Sequence, residues 1–166
     1  MPARRLALPL LLVLALAAGA RAQINPQLLH EVAARYLGTP YLWGGTDPAR
    51  GLDCSAYVRL VMREFGIELP RTSREQYRAA PPVQGNLLPG DLLFFSEDGR
   101  RITHVAIYLG NGYMAHSAQS RGGVVIEPAR NLQAIYVGAN RPWNGPNSPW
   151  ALPRPGFLVI AGEEGD

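Results

Sequence analysis

The apolar residues of this chain change period part-way along it, and that change decides the fold class. Early on they recur at helical spacing: Leu29, Val32, Ala33, Tyr36 and Leu37 make one stripe of the kind that buries one face of a helix. Asn25 and Pro26 ahead of it read as an N-cap and a first-position proline, and Gly38 as the C-cap. A second helix is predicted from Cys54 to Phe65, with Val58, Val61 and Phe65 on one side and Gly66 as its stop. Between the two lies a loop punctuated by Gly and Pro, GTPYLWGGTDPARG. Ser73-x-x-Gln76 has the form of a capping box and predicts a short third helix. Later the pattern is of short β-rich runs: DLLFF (91–95), HVAIYL (104–109), YMAHS (113–117), GVVIEP (123–128) and AIYVGA (134–139). Helices first and antiparallel strands afterwards predict an α+β domain, with the N-terminal helices packed on a central antiparallel sheet.

Residues 1–22 read as something other than fold. Arg4 and Arg5 precede an apolar run over residues 6–18, too short to span a membrane, and Ala20-Arg21-Ala22 forms a small-residue cleavage site. The expectation is a signal peptide, export to the periplasm or cell wall, and no stable membrane anchor after cleavage. One domain is expected over 23–141 and a Pro-rich tail over 142–166. The formal charge of +3 then misleads. Arg4, Arg5 and Arg21 leave with the leader, so 13 basic residues face 13 acidic ones. A neutral mature chain gives no argument for a nucleic-acid partner. A single Cys excludes an intrachain disulfide.

That Cys, Cys54, stands where the second helix begins, and His104 and His116 follow in strand-like sequence. A lone Cys with distant His is the outline of a thiol nucleophile and its base. A helix N-terminus is expected to favour the thiolate. His104 is the candidate base, and His116 the candidate third member that orients it. If Gly110-Asn111-Gly112 is a three-residue loop, both His share one face of the hairpin. A two-residue turn would put them on opposite faces. Two other uses of these residues stand beside this one: a buried structural Cys, and zinc held by Cys54, His104 and His116. The zinc reading lacks any short ligand spacing, and no metal or cofactor is expected.

Five ordered segments, GTPYLWGG, LDCSAYV, LPRTSREQ, LPGDLLFF and THVAIYLGNGYMAHS, resemble the NlpC-type cysteine peptidases of bacterial cell walls. The resemblance runs from about Gln27 to Arg141. It implies a papain-like α+β fold and cleavage of peptidoglycan stem peptides, most often between γ-D-glutamate and the diamino acid. By it, Cys54 is the nucleophile, His104 the base and His116 the orienting residue. Tyr41 supports the oxyanion. Asp53, with Ser55 beside it, receives the free amine of a stem peptide, although Asp53 also reads as a plain N-cap. Arg71, Ser73 and Gln76 fall in a segment near the substrate groove. Ala56 and Ala106 stand where the family commonly has Gly. The chain is thus expected to be a monomeric enzyme acting on peptidoglycan stem peptides. The alternatives are a thiol amidase or acyltransferase on the same fold, and a non-catalytic wall-binding module.

Overall fold

The computed structural model describes residues 23–144. The expected signal peptide and all of the expected tail beyond Asn144 lie outside the described residues. Helix α1 spans Pro26–Ala34. The Asn25 side chain caps it, accepting from the Gln27 and Leu28 backbone N–H groups at 2.9 and 3.2 Å. The helix ends three residues before the expected Leu37 because i to i−3 bonds from Arg35 and Leu37 tighten the chain into turns. Two short strands, β1 (Thr46–Asp47) and β2 (Gly51–Leu52), form a small hairpin. Helix α2 covers Cys54–Arg63, and α3 covers Ser73–Ala79.

The cap of α3 differs from expectation by one position. Thr72, not Ser73, is the N-cap, and it exchanges bonds with Glu75: the Glu75 N–H donates to Thr72 Oγ1 at 3.3 Å, and the Thr72 N–H donates to Glu75 Oε2 at 3.0 Å. Glu75 offers a carboxylate to the helix dipole, which Gln76 does not.

Strands β3 (Leu92–Phe95), β4 (His104–Gly110), β5 (Tyr113–Ala118), β6 (Gly123–Pro128) and β7 (Tyr136–Asn140) follow. They form one antiparallel sheet in the order β6-β5-β4-β3-β7. Alternation along the strands sorts the core into two layers. Leu92, Phe94, Val105 and Ile107 face α1 and α2, meeting Leu29, Val32, Val58, Val61 and Met62. Leu93, Phe95, Ala106, Met114 and Ala139 make a smaller cluster with Leu87, Leu132 and Ile135. Each fully buried Leu, Val, Ile, Met or Phe among them contributes about 1.5–3 kcal/mol of transfer free energy. Tyr57, fully buried at the centre of α2, donates its hydroxyl to the Ala33 carbonyl at 3.2 Å and ties the helices together.

The β4–β5 hairpin reaches the expected facing by a different route. Its turn has two residues, Asn111 and Gly112, with φ of 52° and 78°, the left-handed pair a tight hairpin needs. Gly110 pairs with Tyr113, but the register slips before Tyr108 pairs with Met114 and Ile107 with Ala115. The extra residue is a β-bulge at Leu109-Gly110, where Gly110 takes a φ of 99°. The bulge restores the phase that a two-residue turn alone would have lost.

At the C-terminal end the core continues past Arg141, where the domain was expected to stop. Arg141 forks onto the fully buried Asp91 carboxylate at 2.8 and 2.9 Å. Trp143 is 2 % exposed and belongs to the larger cluster. Its ring lies so close to Gly90 that a Cβ there would sit 2.8 Å from it and 2.6 Å from Ile24.

Candidate active site

Cys54 opens α2 at the floor of a groove of about 980 Å3. Tyr41, Asp53, Ser55, Arg71, Ser73, His104 and His116 all line this groove with it. The fold assembles them from separate elements. The loop before β1 brings Tyr41, the helix start Cys54, the start of α3 Ser73, and two neighbouring strands His104 and His116. Gln76 is the exception. It is fully buried, and its amide donates to the Ser55 and Pro70 carbonyls at 3.1 and 3.0 Å. It braces the α2 N-terminus from behind rather than facing a substrate.

The histidines form a chain that ends on a residue the sequence reading missed. His104 Nε2 lies 2.7 Å from His116 Nδ1, and His116 Nε2 lies 2.8 Å from Glu127 Oε1. Glu127 is held in turn by Arg121 at 2.8 Å and Asn131 at 2.7 Å. Its one sequence signal is that it is the single charge in the apolar run of β6. Its place follows from the β5–β6 register, in which His116 faces Val125 and Met114 faces Glu127. Burial pushes the Glu127 carboxyl up, but its bonds to Arg121, Asn131 and His116 outweigh that and hold it below the usual range.

An ionised carboxylate only accepts, so His116 must present its proton on Nε2. Its Nδ1 is then an acceptor, and His104 must donate from Nε2. His104 is left with a bare lone pair on Nδ1. Glu127 therefore dictates both tautomers, and leaves His104 able to take a proton in the groove. Both His116 nitrogens are spent on these bonds, which removes the lone pair the zinc alternative needs.

The charge states differ from expectation. The thiolate was expected at the helix start, yet burial pushes the Cys54 thiol up to about 11, and Asp53 adds to the rise. Backbone N–H groups of Val105, Ser55 and Cys54 itself only partly oppose it. Burial beside His116 lowers His104 to about 3. Burial also lowers His116, against the pull of Glu127. Burial thus favours the neutral forms of the thiol and of both imidazoles. Tyr41, raised by burial and by nearby Cys54 and Asp53 to about 12, stays a hydroxyl donor. That hydroxyl has no hydrogen-bond partner among the described residues.

Asp53 combines two duties. Its Oδ1 caps α2 through the Ala56 N–H at 2.7 Å and accepts from Ser55 Oγ at 2.9 Å. Arg71 reaches across from the segment before α3 to both oxygens, at 3.1 and 2.6 Å. Among the described residues only Arg71 bonds Oδ2, which leaves one lone pair on that oxygen without a partner there.

The pattern that defines the NlpC/P60 family matches residues 38–141. The chain belongs to the NlpC/P60 family. It is 36 % identical over 128 residues to the gamma-DL-glutamyl hydrolase of Bacillus subtilis, covering 74 % of this chain and 31 % of that protein. It is 38 % identical over 112 residues to the murein DD-endopeptidase MepH of Escherichia coli, covering 63 % and 41 %. The crystal structure of an NlpC/P60 family protein from Bacillus cereus superposes with a TM-score of 0.66 at 35 % identity, covering 74 % of this chain and 41 % of that one. The chain thus spans less than half the length of these relatives. The family resemblance drawn from the five segments holds, as does the papain-like α+β architecture of helices on an antiparallel sheet. Among the described residues no helix is long and apolar enough to cross a membrane.

Proposed function

We propose that this chain is an exported, monomeric cysteine endopeptidase that hydrolyses peptidoglycan stem peptides between γ-D-glutamate and the diamino acid. The observation that supports the proposal is that Cys54, His104 and His116 line one groove, with His104 bonded through His116 to Glu127 behind it. Cys54 Sγ attacks the scissile carbonyl carbon as its proton passes to His104 Nδ1. The developing oxyanion takes hydrogen bonds from Tyr41 and from the orphan N–H groups at the start of α2. Collapse breaks the C–N bond, and His104 returns the proton to the leaving amine. Water, giving its proton to His104, then cleaves the thioester and restores the thiol. The imidazolium formed on the way is stabilised through His116 by the Glu127 charge.

The relatives' names support the reading: one is a gamma-DL-glutamyl hydrolase, which names a γ-glutamyl bond, and one a murein DD-endopeptidase, which names a wall substrate. The second name favours a second reading, cleavage at the DD cross-link. Digestion of purified peptidoglycan with mass analysis of the products separates the readings. The γ-D-glutamyl reading requires products cut after glutamate, and the DD reading requires loss of cross-linked dimers with stems intact. Loss of an amide without chain scission would indicate the amidase alternative. Unaltered wall, with wild type and Cys54→Ala indistinguishable, would overturn catalysis altogether and leave a wall-binding module.

A further inference from the structure

Beside the groove lies a second cavity of about 340 Å3, walled by Arg74, Tyr77 and Arg78 of α3 and by Arg100, Arg101 and Ile102 of the loop between β3 and β4. Arg74, Arg101 and Ile102 also wall the groove that holds Cys54, so the two spaces adjoin. No carboxylate lines the smaller cavity among the described residues. Nearby acids neutralise only part of its charge. Asp98 pairs with Arg101 at 2.9 Å, and Glu75 lies beside Arg78. The Arg74 and Arg100 guanidinium groups have no partner among the described residues. Guanidinium groups crowded in a concavity raise the local potential for anions, and their planar forks match a carboxylate. The loop that carries Arg100 and Arg101 leads directly into His104. In the proposed reaction His104 hands its proton to the leaving amine, so the leaving half of the substrate departs along this loop.

We propose that this arginine cavity is a subsite for a free carboxylate on the leaving half of the stem peptide. That carboxylate is either the side-chain group of a diamino diacid or the peptide's C-terminus. The proposal rests on the stem-peptide reading above. It would make the protein sensitive to amidation of the diamino acid, a chemical feature remote from the bond being cut.

The test uses four synthetic stem peptides: both carboxylates free, each amidated in turn, and both amidated. Each is cleaved by the wild-type chain and by the double variant Arg78→Gln/Arg100→Gln, whose residues line the cavity and not the groove. Wild type should prefer the peptide with the engaged carboxylate free by about tenfold in kcat/KM, carried by KM. The two singly amidated peptides identify which carboxylate it is. The double variant should lose this preference and match wild type on the doubly amidated peptide. Equal cleavage of all four peptides by wild type, or an equal loss by the variant on all four, would overturn the subsite and leave the endopeptidase reading intact. Binding of the leaving dipeptide, acid and amidated, is measured in parallel by calorimetry. Acid-selective binding that the double variant abolishes, without cleavage of any peptide, would uphold the subsite and refute the endopeptidase reading. Neither cleavage nor acid-selective binding would refute both.

Discussion

Glu127→Gln changes one atom's chemistry and leaves the shape of β6 alone, yet the structure predicts a large effect on turnover. Oε2 of Glu127 receives Arg121 and Asn131 at 2.8 and 2.7 Å, whereas the main donor to Oε1 is His116 at 2.8 Å. A glutamine here must choose which side gets its carbonyl. Keeping the oxygen toward Arg121 and Asn131 preserves two bonds, and turns the NH2 group onto His116 Nε2. That nitrogen must then accept, which moves the His116 proton to Nδ1 and forces His104 to accept on Nε2. The His104 proton ends on Nδ1, the position that should receive the thiol's proton. In serine-protease triads, where the carboxylate touches the base directly, a wrong tautomer costs about four orders of magnitude in kcat. Here the carboxylate is one ring further away, so a loss of about 100- to 1000-fold is expected, or about 3–4 kcal/mol of transition-state stabilisation. The assay is steady-state hydrolysis of a stem peptide, with nitrogen NMR of the two imidazoles as an independent readout of the tautomers. A Glu127→Gln protein within about threefold of wild type in kcat, with unchanged imidazole signals, would refute the relay argument.

Because the Cys54 thiol is pushed up to about 11 and His104 held down to about 3, alkylation of Cys54 by iodoacetamide should climb steadily from pH 6 toward pH 10. A flat, fast rate already at pH 6 would reveal a preformed thiolate–imidazolium pair instead. Asp53→Asn keeps a good helix cap, so the protein should fold and still react with a small thiol probe, but lose any preference for stem peptides with a free amine. Since Arg71 already offsets the Asp53 charge, that preference should be moderate, about tenfold in kcat/KM between free and acetylated peptide. A preference that survives the Asp53→Asn substitution would remove Asp53 from amine binding. Trp143→Ala should lower stability by about 3–5 kcal/mol in chemical denaturation, as for other buried aromatic truncations, and a loss below about 1 kcal/mol would show that the core ends at Arg141 after all.

The sequence alone made the helix and strand order legible because each element keeps one clear period, 3.6 or 2, and Gly or Pro marks most ends. That Cys54, His104 and His116 would meet in one groove was legible for the same reason. Each occupies an element boundary or a strand position whose facing follows from the pattern. What escaped depends on distances the chain does not encode locally. Glu127 lies eleven residues from His116 and meets it only through the β5–β6 register. Gln76 looked polar and accessible, but its burial is decided by how α3 packs behind α2. The N–H groups at the helix start do pull Cys54 toward the thiolate, but its burial, which the sequence does not show, pulls harder the other way. Trp143 sat in a Pro-rich stretch whose composition hides one core residue.

A thiol kept protonated has a bearing on storage as well as on catalysis. Oxidation by peroxide and exchange with disulfides both proceed through the thiolate. Cys54 is 7 % exposed and its ionisation lies near 11. It therefore offers oxidants little reactive sulfur at neutral pH, and no second cysteine exists to trap it in an intrachain bridge. In the proposed mechanism, ionisation comes only when a substrate carbonyl and His104 act together. Outside the reducing cytosol, where this chain is proposed to work, that arrangement lets a single unpaired thiol persist between turnovers without a dedicated reductant.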